Sequence, residues 1–395
     1  MSSGNNPLLD KIKHSRLSHL SIAITFFVSG LIINSIQLVL HLTLKRANKK
    51  LFRQVNWYLN YAIFSQLVFI ADWWSASTLK VWMDEDDLKK YDGQENVLLM
   101  MNHTYEIDWL SGWQFTEKMR VLGNCKAYAK KVISYVPVIG WAWYFAEFIF
   151  LNRSYDKDKE IIDKQLREVY SFPDPVWLLL NAEGTRFTEK KHAASVKFAQ
   201  EKGMTVLKHH LIPRTKGFTA SLPGLREKCD AIYDINLAFK KDAEVAPTIS
   251  NLLHGYPVQG YMYVRRIPFS SVPEKEEEAA KFLQNLFVEK DNIIDSFHTT
   301  GSFFKTSGFK EPPSNYMVPR IYSLVNFIVW ALISILPLMY FLIYSLLAAN
   351  WTGFFIVVSI LAAITFMMKK SIGMSKISKA SAYGDTVTAP HAKST

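Results

Sequence analysis

The chain has 395 residues, 49% of them hydrophobic, with 26 Phe, 18 Tyr and 11 Trp, and a formal net charge of +11. That length holds one substantial globular domain with membrane segments, or two domains, and the aromatic content is high for a soluble protein. The two cysteines, Cys125 and Cys229, make no disulfide framework and no metal-ligand spacing, so a cytosol-facing domain is expected; the basic excess asks for an anionic partner, a membrane surface or a nucleic acid.

From about Leu17 to Leu44 the chain is apolar and lacks Lys, Arg, Asp and Glu, which exceeds the ~20 residues that span a bilayer. The run is too long for a secretory signal and has no small-residue cleavage site. Lys45, Arg46, Lys49, Lys50 and Arg53 follow it, against Lys11, Lys13 and Arg16 before it, so the positive-inside rule puts the residues after 45 in the cytosol. Residues 55–74 (VNWYLNYAIFSQLVFIADWW) carry Asn56, Asn60, Gln66 and Asp72 among aromatics. A helix lying in the membrane interface is the preferred reading, and an ordinary core helix also suits the pattern. Residues 1–78 then form an N-terminal membrane anchor.

From 79 to 319 the pattern is that of one α/β domain. Apolar, β-rich runs occur at Val97–Met101, Val176–Leu180, Leu207–Ile212, Ile232–Phe239 and Val258–Ile267, with helical patterns at Ile107–Lys118, Asp156–Tyr170 and Glu189–Lys202. Such alternation implies a mainly parallel sheet flanked by helices. Residues 273–297 read as an amphipathic helix packed on that domain, with Glu276–Glu278 on its solvated side. Ile321–Ala349 and Trp351–Met368 are two more apolar blocks separated only around Asn350, which predicts a transmembrane hairpin over 320–370. Arg320 before it and Lys369 and Lys370 after it fall on the cytosolic side. Residues 371–395, rich in Ser, Thr, Ala and Lys, are expected to be a disordered tail. The fold class is thus α/β, with N-terminal and C-terminal transmembrane helices added.

The chemistry lies in two turns. In VLLMMNHTYEIDW (97–109) a buried strand runs into Asn102, His103, Glu106 and Asp108. His103 and Asp108 are five residues apart, roughly 500° on a continuous helix, so they meet only if the backbone turns between them. A strand-to-helix connection supplies that turn, giving a histidine base with an orienting carboxylate. In VWLLLNAEGTRF (176–187) a second strand ends at Glu183, Gly184, Thr185 and Arg186. An arginine fork with a threonine hydroxyl and a backbone turn suits a phosphate. In open α/β sheets ligands gather beyond the carboxyl ends of strands, so both turns are expected to face one crevice. A base beside a phosphate anchor suggests deprotonating a hydroxyl on a phosphorylated substrate. His209 and His210 lack a third ligand at sensible spacing, so no metal is expected. The chain holds no G-x-S-x-G, no P-loop and no H-E-x-x-H, which argues against serine hydrolase, nucleotide hydrolase and zincin chemistry.

N-H-x-x-x-x-D at Asn102–Asp108 and E-G-T-R at Glu183–Arg186 resemble signature blocks of the glycerolipid acyltransferases. The stretch KKVISYVPVIGWAWYFAEFIFLNRS resembles that family's second block, with Lys130, Pro137, Gly140 and Arg153 matching. LIPRTKGF, with Pro213, resembles the fourth. The likeness covers about residues 80–240 and continues into LFVEKD at 286–291. With the three-span outline and EGTRFTEKKH, it is most similar to the animal 1-acylglycerol-3-phosphate acyltransferases of the gamma/delta type. Two positions depart from the pattern: Ala182, where many members have proline, and Val132, where many have an acid.

The resemblance implies that His103 and Asp108 are catalytic. It implies that Glu183, Gly184, Thr185 and Arg186 bind substrate, together with Arg153 and Lys130; Glu106 occupies a position the family leaves free and is expected to be structural. It further implies lysophosphatidic acid and acyl-CoA as substrates and no bound cofactor; no nucleic-acid partner is expected, since the basic excess is largely juxtamembrane. The setting is a multi-pass protein of the endoplasmic reticulum membrane with its catalytic domain facing the cytosol. Another lysophospholipid acceptor, such as monolysocardiolipin, and a non-catalytic membrane-shaping role are the alternative expectations.

Overall fold

The computed structural model describes residues 7–151 and 155–375. Its centre is one sheet of β1 (Thr78–Trp82), β2 (Val97–Met101), β3 (Cys125–Lys130), β4 (Ile149–Leu151), β5 (Trp177–Leu179), β6 (Ala231–Ala238), β7 (Gln259–Pro268) and β8 (Ser314–Tyr316). The strand order is β4-β3-β5-β2-β6-β7-β1-β8. The run β4-β3-β5-β2-β6 is parallel throughout; β7 is antiparallel to β6 and parallel to β1, and β8 closes the edge antiparallel to β1. The sheet is mainly parallel, as the sequence pattern predicts.

Every residue of β2 (VLLMM) is buried, because helices cover both faces. Strand alternation divides it between two cores. Val97, Leu99 and Met101 join one, Leu98 and Met100 the other. The helices, in chain order, are α1 (Pro7–His14), α2 (Arg16–Leu42), α3 (Leu44–Ala47), α4 (Lys49–Phe69), α5 (Glu85–Tyr91), α6 (Asp108–Lys118) and α7 (Ile139–Phe145). They continue with α8 (Tyr155–Val169), α9 (Glu189–Glu201), α10 (Thr215–Arg226), α11 (Ile249–Leu253), α12 (Glu276–Thr300), α13 (Ile321–Leu347) and α14 (Trp351–Ser375). Leu110 and Phe115 of α6 and Leu252 of α11 pack on the first face; Leu166 of α8, Phe218 of α10 and Leu286 of α12 pack on the second.

Among the described residues three helical stretches are long and apolar enough to cross a membrane: Arg16–Ala47, Ile321–Leu347 and Trp351–Gly373. They are not equally covered. The apolar window of the first is 56% buried within the protein, against 6% and 17% for the other two. Both ends of that first stretch touch the α/β domain: the His19 ring lies 4.7 Å from that of His254, and Lys45 Nζ lies 2.7 Å from Glu147. Gly30 permits a close approach, since a Cβ there would stand 2.3 Å from Val138 Cγ1.

Residues 55–74 lie on α4 and the π turn that follows it, Ile70–Trp74. Their polar side chains face protein. Asn56 and Asn60 accept from Gln37 of α2 at 2.8 and 2.9 Å and donate to the carbonyls of Phe145 and Gly123. Gln66 donates to Ser29 of α2 at 2.9 Å, and Asp72 accepts from Gln114 and Lys118 of α6. Helix α13 is pinned to the same element, by Asn326 donating to Ala62 and Ser65 and by the Phe69 and Phe327 rings stacked at 3.8 Å.

One expected strand does not form. Residues Leu207–Ile212 bend at 208–210 and join no ladder, and side chains rather than a neighbouring strand take up their backbone N–H groups. Lys208 and His209 N–H donate to Asp291 at 2.7 and 2.8 Å, Leu211 N–H to Glu183 at 3.0 Å, and Ile212 N–H to Ser195 at 2.8 Å. At the other end of the chain α14 continues to Ser375, five residues into the segment expected as tail. The rest of that tail, and Arg153, lie outside the described residues.

Candidate active site

The first turn is shaped by Asn102. Where the β2 backbone turns away, the buried Asn102 side chain extends the ladder to β6, accepting from Leu237 N–H at 2.8 Å and donating to Leu237 O at 2.9 Å. The chain then reverses and enters α6 at Asp108. One carboxylate oxygen of Asp108 accepts the Trp109 N–H at 2.7 Å, and the other lies 2.8 Å from His103 Nδ1. The Asp108 side chain is 1% exposed and His103 is 22% exposed. This buried carboxylate fixes one ring nitrogen and leaves Nε2 for the solvent side. Glu106 points elsewhere, accepting Ile249 N–H at 3.2 Å where α11 begins.

The second turn is tied to the first by Glu183. Its carboxylate is buried, accepting His103 N–H at 3.1 Å through one oxygen and Leu211 N–H at 3.0 Å through the other. Burial pushes the Glu183 carboxyl up from its usual range, against the opposing pull of His210, of those two N–H donors and of His103. A further bond, Phe187 N–H to His103 O at 2.8 Å, closes the same junction. Gly184 has φ +72°, a conformation that favours glycine, and the Arg214 side chain packs close over it. Thr185 Oγ1 accepts from Lys191 Nζ at 2.7 Å.

Both turns open on one cavity of about 1160 Å³. His103, Glu183, Gly184, Thr185, Arg186 and Lys130 all line it, and Asp108 stands behind His103. The cavity wraps over the carboxyl edge of the sheet. On the side of α9 and α10 its wall is cationic, with Arg186, Lys191, Arg214 and Lys216; on the side of α2 and α6 it is apolar, with Phe26, Gly112, Trp113 and Ala127. Such a site can take an amphiphile with an anionic end, and its histidine–carboxylate pair can accept a proton there.

Several of these groups carry no motif of their own in the sequence. Lys191, Arg214 and Lys216 sit within stretches quoted for other residues, EGTRFTEKKH and LIPRTKGF, where only the glycine, threonine, arginine and proline attract notice. Asp291, in LFVEKD on α12, holds His210 Nδ1 at 2.9 Å as well as two backbone N–H groups, and so supports the bent segment that meets Glu183. Burial acts to raise the Asp291 carboxyl, but the hydrogen bond and charge of His210 with those N–H donors outweigh it and leave the group below its usual range. No signal in a single sequence links an aspartate at 291 to a turn at 183. His209 pairs likewise with Asp295 at 2.8 Å, and among the described residues no group of three or more His, Cys, Asp or Glu side chains is arranged to hold a metal ion.

Comparison with known proteins agrees with this geometry. A family model described as Acyltransferase matches residues 83–219, and one described as Acyltransferase C-terminus matches residues 251–330. The 1-acyl-sn-glycerol-3-phosphate acyltransferase delta of Bos taurus is 39% identical over 380 residues, covering 96% of this chain and 97% of that one. The delta protein of Homo sapiens is 39% identical over 95% of this chain and 96% of its own length, and the human gamma protein 37% over 96% and 98%. The chain belongs to the acyltransferase family. In this acyltransferase the first matched region, 83–219, carries both polar turns, and the second carries Asp291.

Proposed function

We propose that this acyltransferase moves the acyl group of an acyl-CoA to the sn-2 hydroxyl of 1-acylglycerol-3-phosphate, giving phosphatidic acid and free CoA. The observation that carries the reading is the His103–Asp108 pair, 2.8 Å apart, facing a cavity that is cationic at one side and apolar at the other. His103 Nε2 takes the hydroxyl proton as that oxygen attacks the thioester carbonyl. Asp108 holds the ring tautomer and stabilises the imidazolium. When the tetrahedral intermediate collapses, the carbon–sulfur bond breaks and the imidazolium returns its proton to the departing thiolate. No serine or cysteine nucleophile enters the scheme, because the acceptor brings its own hydroxyl. General-base help of this kind contributes about 10²–10⁴-fold, and positioning supplies more.

In this reading Thr185, Arg186 and Lys130 hold the acceptor phosphate, Arg153 joins them, and Glu183 keeps the two turns in register. The full relatives named for 1-acyl-sn-glycerol-3-phosphate support the choice of acceptor. The α/β domain faces the cytosol, where acyl-CoA is found, and the protein resides in the endoplasmic reticulum membrane; Lys45, Lys49 and Arg53 pair with Glu147 and Glu168, and the exposed Arg46 and Lys50 face anionic headgroups. The test is a panel of lysophospholipid acceptors offered to the purified protein with one acyl-CoA. Highest kcat/KM for lysophosphatidic acid supports the reading. Preference for monolysocardiolipin would reassign the acceptor, and no acyl transfer to any lysolipid would overturn it.

A further inference from the structure

The wall of the cavity is completed by the C-terminal membrane helix. Met368, Ser371 and Ile372 of α14 line it together with Ile22, Ala23 and Phe26 of α2. Ile364 of α14 is buried, and Ile364, Met368 and Ile372 recur every four residues, so they form one inward stripe. Met368 packs against the cluster that holds Ala23 and Phe27; Ile372 packs against the one that holds Ile22, Met101 and Ile107, next to the His103 turn. Phe366, on another side of the same helix, is 66% exposed. A helix that serves only to anchor the protein needs an outer apolar face, and this one also presents an inner face to the reaction cavity.

We infer that the acyl chain of the lipid acceptor lies against this inner face of α14, so that Met368 and Ile372 are acceptor-chain specificity residues and the hairpin is part of the substrate site. The inference rests on the acceptor reading given above. Two observations favour the acceptor over the donor. α2 and α14 are two of the three stretches apolar enough to cross a membrane, and a chain passing from the bilayer into the cavity meets them first. Arg214 and Lys216, which the acceptor anchor at Thr185 and Arg186 does not use, line the cavity on the side of α10 and suit the phosphates of a nucleotide-bearing donor.

The experiment compares hexanoyl and oleoyl lysophosphatidic acid as acceptors for the full-length protein in detergent micelles, with one acyl-CoA. Met368→Trp and Ile372→Trp each fill the space beside α14. They should lower kcat/KM for the oleoyl acceptor by about tenfold or more, the loss expected from expelling two or so methylenes, and leave the hexanoyl acceptor within about twofold. KM for acyl-CoA should not move. Phe366→Trp, on the outer side, should leave both acceptors unchanged. Equal losses for both chain lengths, or the same profile from Phe366→Trp, would overturn the inference. A second readout does not depend on turnover: a lysophosphatidic acid with a diazirine at the chain end should label α14 at Met368 or Ile372. Labelling confined to the outer side, at Phe355 and Phe366, would contradict it. If the wild type acylated no lysophosphatidic acid, the proposed function would fall, and the labelling would still decide where the chain lies.

Discussion

Asp108 and Asp234 are both fully buried carboxylates beside the central strand β2, and they are held in opposite ways. Asp234, opposite Met100 in the sheet, meets Lys290 Nζ at 2.6 Å and Arg265 Nε at 2.8 Å. The Lys290 ammonium spends its other donors on the carbonyls of Ile235 and Met100, so all three are used within the protein. Burial acts against the Asp234 charge, and these two cations outweigh it and draw the carboxyl below its usual range. Asp108 instead hands its charge to one edge of an imidazole whose other edge looks into the cavity. A closed cluster fixes the packing of α12 on the sheet; an open one retains a group for a substrate.

The same substitution at the two sites tests that distinction. Asp108→Asn should lower kcat by about 10²–10⁴-fold, since the ring loses its tautomer and its counter-charge, and should leave the melting temperature near that of the wild type. Asp234→Asn should cost about 3–5 kcal/mol of stability, because Lys290 is left as a buried, half-paired cation, while the folded fraction retains turnover. Activity and thermal-shift measurements on both variants check the crossing pattern; equal loss of stability in both would erase the comparison.

A smaller effect sharpens the open side. Arg186→Lys keeps the charge but loses the planar two-point fork, and a charge-assisted hydrogen bond is worth about 1.5–3 kcal/mol. The kcat/KM for lysophosphatidic acid should fall by about ten- to a hundredfold, with KM for acyl-CoA changing less. A loss confined to acyl-CoA would move Arg186 to the donor.

The smallest effect concerns a third buried charge. Lys126 lies beneath the cavity, 2% exposed, with its ammonium 4.1 Å from the Phe172 ring and hydrogen-bonded to Ala146 O. Burial brings it down to about 7 from 10.5, although Glu147 pulls the other way. Below its unfolded value the unfolded chain therefore binds more protons than the folded one, so this group makes stability rise with pH between about 7 and 10.5. Lys126→Met removes that slope. Set against the lost hydrogen bond and ring contact, a net gain of about 1 kcal/mol is expected at neutral pH. The gain in melting temperature should shrink from about pH 6 to about pH 10, and a constant difference would contradict the assignment.

Much of this was legible in the sequence because the informative stretches are locally consistent. VLLMM and the run after it carry the buried strand, the turn and the helix start within thirteen residues, and the structure keeps that order. The strand β3 carries no apolar run, since CKAYAK has lysines and small residues in its place; its alanines leave room for the cavity instead. Leu207–Ile212 has the composition of a strand, but Asp291, Glu183 and Ser195, none of them adjacent in sequence, satisfy its backbone another way. The polar residues of 55–74 suit either a helix in the membrane interface or an ordinary core helix, and only the tertiary partners Gln37, Ser29 and α6 show where they point. Such pairings depend on tertiary contacts that local pattern does not encode.

The central claim is that His103 is the base for acyl transfer to a lysolipid hydroxyl. The direct measurement is formation of labelled phosphatidic acid from radiolabelled acyl-CoA and lysophosphatidic acid by wild type and His103→Ala, purified and matched for membrane insertion. The account predicts steady product from the wild type and a rate lower by about 10²–10⁴-fold from the variant, with the same melting temperature. Near-normal product formation by His103→Ala would contradict it.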